Sequence, residues 1–224
     1  MSETDSHPRG RRQAAILLLA ALLVSAASAA LAGDPTPAAE WERLRADFSP
    51  IRSIEADFVQ EKHLKILARP LVSAGSFAFR APGDIRWEYL SPVRSLVVIH
   101  GERLRRFLWA DGRYEEAGGM QAQAMGLVLD EIKDWLSGHF ENSKVFAAEL
   151  KPGTPARIEL TPREEAMKKY IQSATLVLSE QPGVLESIEI REGPDSWTLL
   201  RFENIGLNRD LPDSLFTAEA GNGP

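Results

Sequence analysis

The sequence predicts a mainly β protein of the α+β kind: a curled antiparallel sheet with a helical segment lying across its mouth. Three observations carry this. Apolar and polar residues alternate at period two over most of the chain, the mark of half-buried strands. Turn signals such as Pro82-Gly83, Asp111-Gly112, Pro152-Gly153 and Pro182-Gly183 punctuate these runs, at the spacing of one antiparallel sheet system. A single later stretch, Met120 to Phe140, changes to helical period. The strands are too many for a flat sheet, so the sheet is expected to curl.

In chain order, Arg9, Arg11 and Arg12 precede an uncharged apolar run, Ala14 to Val24. That run is short for a membrane span and has the length of a signal-peptide core. Ala30-Leu31-Ala32 fits the small-residue cleavage rule, and Ala27-Ser28-Ala29 is a second match. The expectation is a signal peptide over 1–32, removed on export, and one domain over 33–224. An uncleaved anchor is the competing reading. The chain contains no Cys, which excludes a disulfide framework, a thiolate metal site, a thiol nucleophile and a lipid attached through cysteine.

Thr36-Pro37 is a plausible helix start. Trp41, Leu44 and Phe48 then share a stripe, so a short amphipathic helix is expected. Ile54 to Lys62 opens the sheet, and Leu64 to Val72 is read as continuing it. Next comes the strongest strand pair. Phe77 and Phe79 point one way, with Ser76, Ala78 and Arg80 opposite. Beyond Pro82-Gly83, Ile85, Trp87 and Tyr89 share a face, with Arg86 and Glu88 opposite. This is a hairpin with one aromatic face. Ser95 to Ile99 is continuously apolar and is expected to be buried on both sides. Leu104 to Trp109 returns to Asp111-Gly112, a hairpin signal. In the helical stretch, Met125, Val128, Leu129, Ile132 and Leu136 fall on one face with Trp135 beside them, and Gly138 is a stop. Strands are expected again at about 144–150, 157–161, 170–179, 185–192 and 197–204, with a frayed end from Thr217.

The formal net charge is −6, which argues against sequence-independent nucleic-acid binding. His63, His100 and His139 are not in metal-ligand spacing, and no nucleophile-elbow or phosphate-loop motif occurs. Glu115-Glu116 and Glu164-Glu165 are neighbours on opposite faces of extended chain and read as solvated charge. No metal, cofactor or enzymatic activity is expected. The remaining chemistry is apolar. An aromatic sheet face under a helix bearing Met and Trp suits hydrocarbon, which needs area rather than directional partners. The same pattern also describes an ordinary dry core, and periodicity does not separate the two. Arg80 reads either as a surface arginine or as a donor to the lid or to a cargo headgroup.

The order of several motifs resembles the outer-membrane lipoprotein carrier (LolA) family, periplasmic chaperones of Gram-negative bacteria. The matching pieces are Phe58-Val59-Gln60, Gly75-Ser-Phe-Ala-Phe79, and Pro82 with Ile85-Arg86-Trp87-Glu-Tyr89 and Pro92. Leu160-Thr161-Pro162, Asn204-Ile205 to Asn208, and Leu215-Phe216 follow. The resemblance runs from about Trp41 to Phe216. It implies an unclosed half-barrel with a helical lid, formed by the N-terminal helix and the helices between Met120 and Phe140. It also implies transfer of acylated lipoproteins from an inner-membrane donor complex to an outer-membrane acceptor, without any reaction. Cargo would lie against Phe77, Phe79, Trp87, Tyr89, Val97 and Ile99 of the sheet and Met125, Val128, Leu129 and Ile132 of the lid. In the family an Arg directly before the hairpin Pro latches the lid; here the order is Arg80-Ala81-Pro82, one residue displaced. His100-Gly101 stands where Asp-Gly is usual. These departures fit a divergent member, acting as a monomer, whose cargo is a lipoprotein or another acylated molecule. The alternative is a lipid-sensing regulatory protein of the same fold that works through protein–protein contacts.

Overall fold

The computed structural model describes residues 36–118 and 129–218. The described sheet falls within one compact unit, Glu40–Pro224. The expected signal peptide lies outside the described residues, as do Met120 to Val128 of the helical stretch.

Helix α1 spans Pro37–Phe48. The Thr36 hydroxyl accepts a hydrogen bond from the Ala39 N–H at 3.3 Å, the expected N-cap. Its predicted stripe buries Leu44 and Phe48. The sheet then begins with β1 (Ser53–His63), β2 (Leu71–Arg80), β3 (Asp84–Ser91), β4 (Ser95–His100), β5 (Arg103–Ala110) and β6 (Arg113–Glu116). A helix α2 is described over residues 129–136. After it come β7 (Phe146–Lys151), β8 (Arg157–Pro162), a short α3 (Glu165–Lys168), β9 (Ser173–Leu178), β10 (Leu185–Gly193) and β11 (Ser196–Leu207). A 3₁₀ turn, Asp213–Phe216, follows.

The eleven strands among the described residues form one antiparallel sheet in the order β6-β5-β4-β3-β2-β1-β11-β10-β9-β8-β7. The first strand and the last pair at the centre, Phe58 opposite Phe202. The edges β6 and β7 do not meet, so the sheet stays open. The aromatic hairpin forms in the expected register, Phe77 opposite Trp87 and Phe79 opposite Ile85. Gly75 is required there by close approach: a Cβ would stand 1.9 Å from the Glu88 carbonyl oxygen and 2.6 Å from the Phe58 ring. Gly138, at φ +79°, ends α2 as predicted, its N–H donating to the Trp135 carbonyl at 2.9 Å.

Three expectations are corrected. Leu64 to Pro70 is a loop, and β2 starts only at Leu71; Pro70 lacks the N–H a ladder needs, and Leu64 to Arg69 does not alternate cleanly. Tyr170 to Gln172 is not strand; α3 and a turn occupy the connection, and β9 starts at Ser173. Thr217 and Ala218 are not frayed. The C-terminal segment packs on the outer sheet face, where Leu211, Phe216 and Ala218 join Ala78, Leu96, Val98 and Phe107 in a second core. That second core explains why β4 is buried on both sides, as its continuous apolar run implied.

The outer face of β3 is therefore not a solvated polar face. Arg86 and Glu88 are buried. Arg86 Nη2 donates to Glu88 Oε2 at 2.6 Å, and Nη1 donates to the carbonyls of Leu215 at 3.1 Å and Thr217 at 3.0 Å. The Tyr114 hydroxyl donates to Glu88 Oε1 at 2.7 Å. Burial, followed by the adjacent Glu88 carboxylate, pushes this hydroxyl up to about 12.

Candidate functional site: an apolar cavity between sheet and helix

The concave face carries the larger core. Trp87 sits at its aromatic centre, with the Phe58 ring 5.1 Å away and the Phe77 ring 5.3 Å away. These separations are those of interacting rings. α2 covers this face with Leu129, Ile132, Trp135 and Leu136, whose helical spacing places them together. Beyond α2, Phe140 packs edge-on against Phe48 of α1 at 5.2 Å. Arg45 ties α1 to the same segment through Glu141.

The packing between α2 and the sheet is incomplete. A cavity of about 220 Å³ lies among Trp87, Tyr89, Leu129, Ile132, Trp135 and Leu200, with β9 and β10 completing its wall. A second, of about 30 Å³, lies toward α1 and is bounded by Phe48, Phe77 and Phe140. Ile132, Trp135 and Ile188 line both, so these three side chains form the partition. A hollow of about 460 Å³ beside α1 is bounded by Glu40, Arg43, Asp47 and Glu180; its charged rim does not suit hydrocarbon.

Of the residues expected to touch cargo, Trp87, Tyr89, Leu129 and Ile132 line the 220 Å³ cavity and Phe77 lines the smaller one. Phe79, Val97 and Ile99 are buried in the same core without bordering either space. Met125 and Val128 lie outside the described residues. Arg80 stands on the opposite face. It pairs with Asp84 at 2.6 Å and Asp213 at 2.7 Å, and its Nη1 donates to the Leu211 carbonyl at 2.8 Å. Among the described residues, its hydrogen bonds run to β3 and the C-terminal segment. At Asp84, burial favours the neutral acid. Arg80, the Gly101 N–H and His100 outweigh it and hold the carboxyl below its ordinary value.

Several wall residues were not singled out from the sequence. Ile188, Ile190 and Leu200 sit on alternating strands, and that alternation was their signal; no aromatic drew notice to them. Ile171 comes from the stretch misread as strand, and Met167 from the short helix α3, which was not anticipated. Two polar groups were also missed. Gln60 accepts from the Tyr89 hydroxyl at 2.9 Å. Burial pushes that hydroxyl up, and the nearby Trp87 side chain pulls it back. Glu131, 8% exposed, borders the cavity. Burial raises its carboxyl above the ordinary value, Asp134 and Asp130 raise it further, and Ser143 opposes them.

The exposed large apolar side chains among the described residues are Ile66, Leu67, Leu71, Val72, Leu90, Val93, Leu108 and Tyr170. The antiparallel order puts every one at a single end of the sheet. Leu71 pairs with Lys62 and Leu108 with Ser95, beside the β1–β2 and β3–β4 loops. The Gln172 N–H donates to the Arg191 carbonyl, bringing the Tyr170 loop to the same end. Gln60, Tyr89 and Thr198 place the 220 Å³ cavity toward this end as well.

The chain is 29% identical over 209 residues to an outer-membrane lipoprotein carrier protein of Ralstonia nicotianae, covering 89% of this chain and 90% of the relative. A protein of the same description from Cupriavidus pinatubonensis is 27% identical over 207 residues, covering 87% and 92%. The crystal structure of a LolA superfamily protein from Nitrosomonas europaea overlaps 83% of this chain and 99% of that chain, with 11% identity and a TM-score of 0.43. The family model described as outer membrane lipoprotein carrier protein LolA matches residues 49–219, and the chain belongs to that family.

Proposed function

We propose that the protein is a periplasmic carrier, without enzymatic activity, that shelters the acyl chains of a lipoprotein, or of another acylated molecule, between α2 and the sheet. The cavity beneath α2 is the observation that carries this reading. Its wall is mostly apolar, and three side chains, Ile132, Trp135 and Ile188, border both it and the next space. At 220 Å³ it falls below the roughly 300–1,000 Å³ of ordinary ligand pockets. The described form is therefore closed, and loading displaces Ile132 and Trp135 and joins the two spaces. Each methylene sheltered gains about 0.8 kcal/mol. A chain of a dozen methylenes thus gains on the order of 10 kcal/mol before the costs of ordering it and opening the lid.

Delivery needs no bond to break. Cargo passes from an inner-membrane donor to an outer-membrane acceptor because each offers a competing apolar site, and the lid follows occupancy. The apolar end of the sheet supports docking at the cavity's mouth, since clustered exposed apolar surface marks a contact site.

The test is native mass spectrometry of protein purified from periplasm, with wild type and Trp87→Glu side by side. Wild type is expected to carry acyl-containing mass, and the variant to be exported but empty. An exported, folded Trp87→Glu that loads as well as wild type refutes the cavity as the site. Wild type that is clean of lipid but retains a regulatory membrane protein favours the sensing alternative instead.

A further inference from the structure

The cavity wall holds polar atoms that a purely apolar container does not need. Among the described residues, Trp87 Nε1, Trp135 Nε1 and Glu131 Oε2 are buried and have no partner within hydrogen-bond distance, although the Trp87 side chain lies close enough to the Tyr89 hydroxyl to lower its pKa. The side chains of all three border the 220 Å³ cavity. Glu131 and Trp135 are four residues apart on α2, so they share the face turned to the sheet. Trp87 belongs to β3 opposite. The other buried side-chain atoms in this condition, Arg94 Nε and Glu141 Oε2, lie on residues that do not border the cavity.

A buried donor left unpaired is costly, and native structures leave few. Phenylalanine in place of either tryptophan, or leucine in place of Glu131, would avoid that cost. Three such groups around one space are explained if the occupant supplies the partner.

We propose that Trp87, Trp135 and Glu131 form a carbonyl-reading cluster, which hydrogen-bonds the ester or amide carbonyl where an acyl chain joins the rest of its molecule. This rests on the carrier reading and narrows its cargo. The two indoles are obligate donors. Glu131 borders the same space as their polar neighbour; burial, with Asp130 and Asp134 nearby, raises its carboxyl, and a hydrogen bond from Ser143 opposes this. A carbonyl oxygen offers the two lone pairs that such donors need. Alkanes and polyprenyl chains offer none, and an ether oxygen is a poorer match. The cluster thus selects acylated molecules over other hydrocarbon. It serves an ester on glycerol and an amide on an N-terminus alike.

The test compares two synthetic lipopeptides on the exported protein, one with two palmitoyl esters and one with the matching hexadecyl ethers. Affinity is read by displacement of a fluorescent probe. A carbon-13 label on the ester carbonyls reports hydrogen bonding by infrared spectroscopy. An N-palmitoyl amide forms a third arm and separates the two carbonyl sources. Wild type is expected to prefer the diester by about tenfold, roughly one to two neutral hydrogen bonds. The labelled carbonyl band should move to lower wavenumber on binding. In Trp87→Phe/Trp135→Phe, which keeps ring volume and removes both N–H groups, the ratio should fall toward one and the band shift should vanish. Glu131→Gln keeps a donor and should keep the ratio. Equal affinity for diester and diether in wild type overturns the cluster and leaves the carrier standing. An undiminished ratio and band shift in the double variant also overturn it. Failure of wild type to bind any of the lipopeptides overturns the carrier reading, and the cluster with it.

Discussion

Replacing Arg86 by Met tests whether the outer face of the sheet is a second core held by a buried ion pair. Met keeps most of the side chain's volume, so little cavity forms and the loss is electrostatic. Three things are removed together. Glu88 loses the partner 2.6 Å away, and the carbonyls of Leu215 and Thr217 lose a donor. Arg94, 3.7 Å from Glu88, and the Tyr114 hydroxyl remain as weak substitutes. Breaking one side of a buried pair costs about 3–5 kcal/mol. At about 2–4 °C per kcal/mol for a domain of this size, the melting temperature should fall by roughly 6–20 °C. Circular dichroism measures that fall, and limited proteolysis should show earlier cleavage near Leu215. Adding Glu88→Met removes the orphaned carboxylate and should restore more than half of the loss. An Arg86→Met protein that melts within about 2 °C of wild type would refute the reasoning, as would a double variant no better than the single one.

Gly75→Ala should lower the urea midpoint by the equivalent of about 2 kcal/mol or more, since its Cβ has no room between the Glu88 carbonyl and Phe58. Glu131→Gln should raise the melting temperature at neutral pH. With the folded pKa above the ordinary 4.5, the native state holds its proton more tightly. Wild type therefore loses stability as pH rises from the ordinary value through the raised one, and titration of the variant over that window should lack the slope. Ile132→Ala should destabilise by about 2–5 kcal/mol while widening the passage between the two cavities. Probe binding per folded molecule should then increase, because part of the lid displacement is already made.

Much of this was legible in the chain because period-two alternation encodes a face directly. Phe77, Phe79, Ile85 and Trp87 landed where alternation put them, and the apolar run of β4 announced a strand dry on both sides. The failures share a cause. Alternation says that two faces differ, but it does not say that the polar one is wet. Arg86 and Glu88 looked solvated because nothing local revealed that residues more than a hundred positions later fold over them. Arg80 was left open between two readings, and its partners Leu211 and Asp213 were equally invisible, being distant in sequence. The site was half legible. Trp87 and Ile132 belong to strong local patterns, but a void is a relation among several elements, and no single segment records it. Ile171 was hidden in a stretch read as strand, and Met167 in a short helix with no local signal of its own.

The second core on the outer face has a consequence for use. A vessel that must be emptied and refilled cannot rely on its contents to keep its shape. Here the stiffening is applied from behind. The C-terminal strap, clamped by Arg86 and stacked through Phe216, braces β3 and β4 independently of whatever fills the front. On the proposed carrier reading, the wall keeps its brace while the cover moves, and unloading need not threaten the fold.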